Sequence, residues 1–409
     1  MFPISNNCVP VLVLKSDAQW GLGILRSLGR LGIPVCTVNP NPRTPAFFSR
    51  YCRRKFVRDV SDLTDKSVRD LSSIGRKIGR RSILIPTTDD GAVFVADHAD
   101  ALREWFMFPN QRADLVHSLC SKKEMHYLAK KLRVPTPDAF FPESREDVLD
   151  FLKNVTFPVM LKAIERWRLK RTKQGKAIAY TENELVEKYD AMEDPEEPNI
   201  MLQEHIPGGD DDVWMFNGYF NQSSDCLIGL TGRKIRQWPA YQGVTTLGIC
   251  QRNEAVEEMT KEFMKAVGYR GILDIGYRYD RRDGRYKVLD INPRIGATFR
   301  LFVADNGMDV VRALYLDMIG QPTISRPAVD GRKWLVEDQD LASSFLYHLD
   351  GNLSLKQWID SYRGVRETAY FAIDDPLPLV QRVGRDIGQL LSRTRVQQIS
   401  RRSAHPTHS

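Results

Sequence analysis

The stretch of this chain best suited to chemistry is VLDINPRIGAT, residues 288–298. It begins as an alternating strand and then places Asp290, Asn292 and Arg294 two residues apart. On an extended chain such residues point to one face, so a carboxylate, an amide and a guanidinium converge. Oxygen ligands of this kind suit Mg²⁺, and the arginine beside them could clamp a phosphate or a carboxylate. An edge strand with a solvated polar face is the alternative, and these residues alone do not decide between the two.

A second candidate is Lys162, which lies within the apolar run FPVMLKAI. A lysine in a buried strand is costly unless its ammonium group reaches an anion, and a lysine that snorkels to the surface is the alternative. The loop that follows, residues 165–176, contains many basic side chains and one glycine. Such a loop can fold over phosphates, although it is not a Walker loop. The two features together predict an anion-binding region.

The elements before this region alternate between strand and helix. Residues 9–15 form an apolar strand, helical periodicity follows, and residues 35–38 form a second strand, which together predict a β-α-β unit. Its glycines lack the GxGxxG spacing, so a small-ligand or purely architectural Rossmann-like domain is favoured over a dinucleotide site. Asp89 and Asp90 follow a third strand, where they could bind a ligand or cap a helix.

The elements after this region change in character. Ser121 begins an amphipathic helix that stops before Pro135, with Glu124 completing a capping-box pattern. Residues 199–221 read as two strands around a Pro-Gly-Gly turn, for which a simple strand pair is a sound structural interpretation. Later strands and a hairpin with an Asp-Gly turn, residues 271–294, predict an antiparallel sheet.

Composition limits the class of protein. The 409 residues exceed the size of a single core, so two or three domains are expected. The apolar fraction of 42% and the charged fraction of 27% are typical of globular proteins. Six cysteines lack zinc-like spacing, and no signal peptide or long apolar segment is evident, so we expect a cytoplasmic protein with reduced thiols. The net charge of +7 occurs in runs, but aromatic residues are not interleaved with them as a nucleic-acid binder would require.

The order and spacing of these elements, over roughly residues 5–320, resemble the ATP-grasp superfamily of ATP-dependent carboxylate ligases. The likeness is greatest to predicted carboxylate-amine ligases related to D-aspartate ligases. It implies an α/β (α+β ATP-grasp) fold, in which a Rossmann-like parallel-sheet domain precedes two α+β subdomains that clamp ATP. The implied divisions, in chain order, are the N-terminal domain 1–112, the small subdomain 113–203, the large subdomain 204–322 and a C-terminal extension 323–409.

The resemblance also implies site residues. Those expected to bind the nucleotide are two lysines, four hinge residues beside adenine and a ribose-binding acid given as either of two: Lys122, Lys162, Gln203, Glu204, His205, Ile206, and Asp211 or Asp212. Lys123 is a close rival of Lys122. The implied metal ligands are Asp274, Asp290 and Asn292, with Gly276 at the position where the family carries an acid, so that one metal or two less tightly held metals are the alternatives. The implied catalytic residues are Arg294 near the acyl phosphate and Arg300 facing substrate.

The implied activity joins a carboxylate to an amine through an acyl phosphate, using ATP and Mg²⁺, which Mn²⁺ could replace. Both substrates would be small molecules, and no nucleic acid is expected. A non-catalytic or regulatory nucleotide-binding protein is the alternative. The oligomeric state is open, with a homodimer compatible with the sequence. Residues 379–400 form a basic amphipathic pattern, which predicts either a helix on an anionic membrane or partner, or a terminal helix that caps the fold.

Overall fold

The structure is a computed structural model that describes most of the chain, in six parts: residue 4 and residues 6–60, 64–172, 174–241, 243–324 and 326–385. Its elements form three sheets with helices packed around them. Each sheet falls in a different part of the chain, and the segment 326–385 adds to the last of them.

The first sheet is parallel and lies in the N-terminal part of the chain. Its strands are β1 Val11–Leu14, β2 Val35–Asn39, β3 Cys52–Val57, β4 Ser82–Pro86 and β5 Phe106–Met107. Its helices are α1 Gln19–Gly29, α2 Asp65–Ile78, α3 Asp89–Asp97 and α4 Ala99–Leu102. The spatial order β3-β2-β1-β4-β5 is that of a Rossmann-like domain, which confirms this part of the predicted fold class.

The second sheet is small and antiparallel, with the order β6-β9-β7-β8. Two helices, α5 Ala113–Cys120 and α6 Lys122–Lys131, lead into it. Its elements are β6 Ala139–Phe140, α7 Arg145–Phe151, β7 Val159–Ala163, β8 Lys176–Ala179, α8 Glu182–Met192 and β9 Ile200–Glu204. The side chain of Ser121 accepts a hydrogen bond from the Glu124 backbone nitrogen, as a helix cap should.

The third sheet is the largest, with the order β14-β13-β10-β11-β12-β15-β16. Its strands are β10 Val213–Phe220, β11 Cys226–Trp238, β12 Val244–Cys250, β13 Gly271–Asp280, β14 Arg285–Asn292, β15 Lys333–Leu335 and β16 Val365–Thr368. Its helices are α9 Glu254–Val267, α10 Val310–Met318, α11 Glu337–Leu349 and α12 Leu355–Ser361. The Asn253 side chain caps α9, and Gly268 ends it with a φ of 70°, which favours glycine.

One sequence interpretation changes at this level. The stretch through the Pro-Gly-Gly turn is not a strand pair, because β9 lies in the small sheet and β10 in the large one. The chain therefore crosses between the sheets here, and the turn residues face the gap. The C-terminal segment also adds two strands, β15 and β16, to the large sheet, so that the body of the fold includes it. The exact domain boundaries remain predictions.

The N-terminal sheet is attached to the large sheet through apolar packing. Helix α1 packs on α10 and on residues 299–301, in a cluster that joins both sheets. Gly23 makes this approach close, since a Cβ there would lie 2.8 Å from a ring carbon of Phe299. The glycines of α1 therefore serve packing, as the architectural interpretation of this domain predicted.

Candidate active site

A cleft of about 970 Å³ lies between the small sheet and the large sheet. Its apolar part is lined from one side by Met160 and Ile178, and from the other by Ile206 and Leu289. A flat apolar space between two sheets suits an aromatic ring system, because both ring faces can be buried there. The remaining walls carry charged and polar side chains together with further apolar residues.

The predicted hinge forms one end of this cleft. Gln203 and Glu204 end strand β9, and His205 and Ile206 continue toward the large sheet. All four residues line the cleft. Their position follows from the crossing between sheets, because the backbone leaves the ladder of β9 here and its polar groups become available to a ligand.

Three lysines converge in the same cleft from different strands. Lys162 comes from β7, Lys176 from β8 and Lys234 from β11. Among the described residues, Lys162 and Lys176 have no hydrogen-bond or ion-pair partner. Lys234 donates to the Gln237 side chain and the Gly243 carbonyl, each at 3.0 Å, and so has no neutralising carboxylate in contact. The cleft therefore concentrates positive charge.

The pKa values of these lysines reflect that concentration. Burial, together with repulsion from Lys122, Lys176 and Lys234, lowers the pKa of Lys162 to about 7, despite attraction to Asp290. The pKa of Lys176 is lowered to about 8, mainly by burial and then by Lys234. Burial also lowers the pKa of Lys234. Such groups would be stabilised by a polyanion, since it favours their charged form.

Opposite the lysines lie the three residues predicted to hold a metal. Asn292 Nδ2 lies 3.2 Å from Asp274 Oδ2 and 3.2 Å from Asp290 Oδ2, so the amide joins the two carboxylates. The ladder explains this grouping: Asp274 pairs with Asn292 across β13 and β14, and Gly276 pairs with Asp290. Strand β14 is also the edge of the large sheet. The polar cluster therefore lies on an edge strand, and the two interpretations of this stretch are compatible.

The pKa values of the two carboxyl groups shift in opposite directions. Burial and repulsion from Asp290 raise the pKa of Asp274 to about 6. Burial would also raise the pKa of Asp290, but attraction to Lys122, Lys162 and Lys234 outweighs it and leaves the value below normal. Asp290 is therefore the firmly ionised member of the pair.

This donor set fits a divalent cation such as Mg²⁺, which takes one or two carboxylates and oxygen ligands. Turning the Asn292 amide would bring its oxygen toward the two carboxylates, at the expense of a 3.0 Å hydrogen bond from Arg294. Across the described ranges there is no group of three or more His, Cys, Asp or Glu side chains placed to hold a metal. Gly276 explains this, since it leaves the position opposite Asp290 without a third acid.

Arg294 connects this cluster to the N-terminal sheet. Its Nε and Nη2 donate to the Asp89 carboxylate at 2.7 and 3.2 Å, and Nη1 donates to the Ile295 carbonyl. Asp89 follows β4, and the cap of α3 is the Thr88 side chain. The carboxyl end of the parallel sheet therefore borders the candidate site, as open α/β sheets commonly arrange it.

The structure separates the two rival lysines. Lys122 begins α6, and its charge lowers the pKa of Asp290. Lys123 instead lies 3.6 Å from the Glu143 carboxylate. The two candidate ribose acids also differ. Asp211 is exposed and lines the cleft, while Asp212 is buried, accepts from the Gly209 nitrogen and pairs with an arginine outside the cleft.

Arg300 lies in a buried network of ion pairs. Its guanidinium donates to both oxygens of Glu367, at 2.9 and 2.7 Å, and to Asp309, and it does not line the cleft. Three of its five N–H groups are therefore used inside the fold. Arg300 fixes β16 against residues 299–301, and its contact with substrate stays a prediction.

Sequence reasoning missed several residues of the cleft. Lys176 and Lys234 each precede an apolar residue of a strand, but Gly175 and Arg233 stand before them, so the apolar surroundings that marked Lys162 are only partly present. Tyr347 and Asp210 line the cleft as well. No pattern in the sequence connects these two, since 137 residues separate them.

Two further expectations can be placed. In the parts of the chain that are described, no helix is long and apolar enough to cross a membrane. The basic amphipathic pattern near the C-terminus lies mostly in residues 386–409, outside the described residues. Of its apolar positions, Val380 and Val383 are described, and both are exposed.

Comparison with known proteins gives the class of this architecture. No family model matches the chain. The chain is 24% identical to a D-aspartate ligase of Enterococcus faecium (strain Aus0004) over 253 residues, which cover 59% of each chain. The matched part is thus less than two thirds of that relative's length.

Solved structures resemble the chain over more of its length. An N5-carboxyaminoimidazole ribonucleotide synthetase in complex with ADP superimposes with a TM-score of 0.61 at 11% identity, covering 81% of both chains. An L-amino acid ligase from Bacillus licheniformis gives a TM-score of 0.56 at 15% identity, covering 77% of this chain and 75% of that one. The chain therefore has the ATP-grasp fold, as the resemblance in its sequence predicted.

Proposed function

We propose that this protein is an ATP-dependent ligase that activates a carboxylate as an acyl phosphate and couples it to an amine, releasing ADP and phosphate. The observation that carries the proposal is the group of charged side chains in one cleft: Lys162 and Lys176 come from the small sheet, Lys234 and Asp290 come from the large sheet, and Asn292 is hydrogen-bonded to Asp290. Such uncompensated cations beside a metal-type donor set match the needs of a magnesium triphosphate. The ATP-grasp fold supports the same assignment.

Within this proposal the cleft accounts for each part of ATP. The apolar space between Met160 and Leu289 takes the adenine ring, and the backbone at His205 and Ile206 supplies its polar contacts. Asp211 is placed for the ribose hydroxyls. The triphosphate then lies over the three lysines, which neutralise its charge and orient the terminal phosphate.

Asp290 and Asn292, with Asp274 beside them, would hold Mg²⁺, or Mn²⁺ in its place. The metal, when bound, would neutralise phosphate oxygens and align the terminal phosphate for transfer. Lys162 reaches the same space from the opposite sheet. The chain's own contribution is therefore to fix phosphate charge from two sides and to exclude bulk water between the sheets.

The reaction then has two displacements. A substrate carboxylate oxygen attacks the γ-phosphorus and the bond to ADP breaks. The amine nitrogen attacks the acyl carbon, phosphate departs, and the amine loses a proton to solvent. No side-chain nucleophile is needed. The D-aspartate ligase and L-amino acid ligase similarities make amino acids the first substrates to test.

A non-catalytic nucleotide-binding protein is the second candidate. It is favoured by Gly276, which leaves Asp290 without a third acid nearby. The two candidates differ in one measurable respect. A regulatory protein would bind ATP and show no ADP release with any carboxylate and amine pair.

The test is an ADP-release assay against a panel of amino acids and small carboxylic acids. The Asp290→Asn and Lys162→Met variants should each slow ADP release by about 100-fold or more, because each removes a charge that stabilises phosphoryl transfer. Lys123→Met is the matched control, since Lys123 pairs with Glu143 outside the cleft, and it should retain activity. If the first two variants release ADP as fast as the unaltered protein, the site is wrongly assigned.

A further inference from the structure

The C-terminal segment reaches into the candidate nucleotide cleft. Helix α11 is fixed to the large sheet through Asp340, a fully buried residue that accepts from Arg236 Nε and Nη2 at 2.9 and 2.8 Å and from Thr246 at 2.9 Å. Ser343 on the same helix donates to the Gln237 carbonyl. These buried bonds set the position of the helix, so a side chain at its far end has a defined place.

That side chain is Tyr347, which lines the cleft two turns after Asp340. Its hydroxyl donates to one carboxylate oxygen of Asp210. The other oxygen accepts from Gln237 Nε2 at 2.6 Å. Burial and the contact with Asp210 raise the pKa of Tyr347, so its phenol stays protonated and remains a donor. Asp210 is thus held on both sides.

Further contacts hold Tyr347 itself. Its hydroxyl accepts from the Tyr241 backbone nitrogen at 3.1 Å, and the two rings lie with centroids 4.3 Å apart. The Tyr241 hydroxyl donates to Asp350 at 3.0 Å and accepts from Asn352 Nδ2 at 2.8 Å. The loop after β11 and the turn after α11 therefore close the same wall of the cleft.

We propose that Tyr347 is a positioning residue for nucleotide recognition: through Asp210 it fixes the segment that presents Asp211 to the ribose of ATP. Asp210 precedes Asp211 in the loop that follows the hinge, and both line the cleft. Asp211 is exposed, and its carboxylate has no hydrogen-bond partner among the described residues, so its placement depends on the neighbouring residues of the loop. The C-terminal segment thereby contributes to which nucleotide is bound.

This inference rests on the proposed function, because it assumes that ATP occupies the cleft. It predicts a loss of ribose discrimination, which a purely structural role would not give. Removing the Tyr347 hydroxyl leaves the ring in place but frees one side of Asp210. The affinity for ATP should fall by about tenfold, the effect of one charge-assisted hydrogen bond. The affinity for 2′-deoxy-ATP should change little, since it lacks the hydroxyl that Asp211 would contact.

The experiment measures binding of ATP and of 2′-deoxy-ATP by calorimetry to the full chain and to Tyr347→Phe. The expected result is a preference for ATP that the variant largely loses, without a change in melting temperature. Tyr51→Phe is the matched control, because the Tyr51 hydroxyl also donates to a carboxylate, Asp374, at 2.6 Å, outside the cleft. Asp210→Asn provides a second variant, and combining it with Tyr347→Phe should add no further loss if the two act as one unit.

The outcomes separate the two proposals. If the unaltered protein does not bind ATP, the proposed function fails and this inference fails with it. If the protein binds ATP but Tyr347→Phe weakens both nucleotides equally, or neither, the positioning role is wrong while the proposed function stands. Equal binding of the two nucleotides by the unaltered protein would also overturn it.

Discussion

Binding of ATP should draw protons onto the protein from solution. With a pKa of about 7, Lys162 is about one-tenth protonated at pH 8, and Lys176, with a pKa of about 8, is about half protonated. A bound triphosphate restores the charged form of both. The expected uptake is therefore about 1.4 protons per ATP at pH 8, of which about 0.9 goes to Lys162 and about 0.5 to Lys176.

The sign of the pH dependence follows from the lowered values. Below about pH 6 both lysines are largely charged with or without ATP, so affinity should change little there. Above that pH the free protein progressively loses protons that the complex keeps. Affinity for ATP should therefore decrease as pH rises, by about tenfold per pH unit for each proton taken up.

The measurement is calorimetry of ATP binding at pH 8 in two buffers that differ in ionisation enthalpy, with EDTA present so that divalent cations do not contribute. The difference in heat between the buffers gives the number of protons. Lys162→Met should remove most of the uptake and leave about half a proton from Lys176. Lys123→Met should match the unaltered protein. Equal heats in the two buffers, or an uptake unaffected by Lys162→Met, would refute the assignment of the proton uptake to lysines with lowered pKa values.

Two predictions concern the joint between the N-terminal sheet and the rest of the fold. Arg26→Met should lower the free energy of unfolding by about 3–5 kcal/mol, because it leaves the buried Asp375 carboxylate without its 2.9 Å partner. A chemical denaturation curve measures this free energy. A change below about 1 kcal/mol would contradict the prediction. Gly23→Ala should cost about 1–3 kcal/mol through contact with the Phe299 ring, whereas Gly384→Ala, where a Cβ meets nothing within 4 Å, serves as the neutral control in the same experiment.

Much of the fold could be predicted from sequence because local patterns determine it. Short apolar runs marked β1 and β4, and the capping serine at Ser121 marked the start of α6. The i, i+2 spacing of Asp290 and Asn292 was enough to bring them together, since a strand has a period of two. The ladder pairing of Asp274 with Asn292 followed from the same period on the neighbouring strand.

The rest depended on contacts between distant segments. No residue close to Arg300 in the sequence shows that Glu367 will accept its hydrogen bonds. No residue close to Asp210 predicts its hydrogen bond with Tyr347. The sequence after β9 predicts a strand pair, because a turn rich in glycine and aspartate looks the same whether its strands pair or separate. The local pattern of residues predicts whether a segment forms a helix or a strand. Packing between elements then determines which sheet a strand joins.

The distribution of charge over the two sheets has a consequence for the order of events. Lys162 and Lys176 belong to the small sheet, while Lys234 and Asp290 belong to the large one. Burial is the main cause of the lowered pKa values of Lys162 and Lys176, and repulsion from other lysines adds to it, so positive charge in the gap is disfavoured when no anion is present. A triphosphate reverses the sign of that interaction, because it attracts both sides at once. We therefore expect nucleotide binding to come first and to draw the sheets together, with the carboxylate and amine reacting in a cleft that ATP itself has closed.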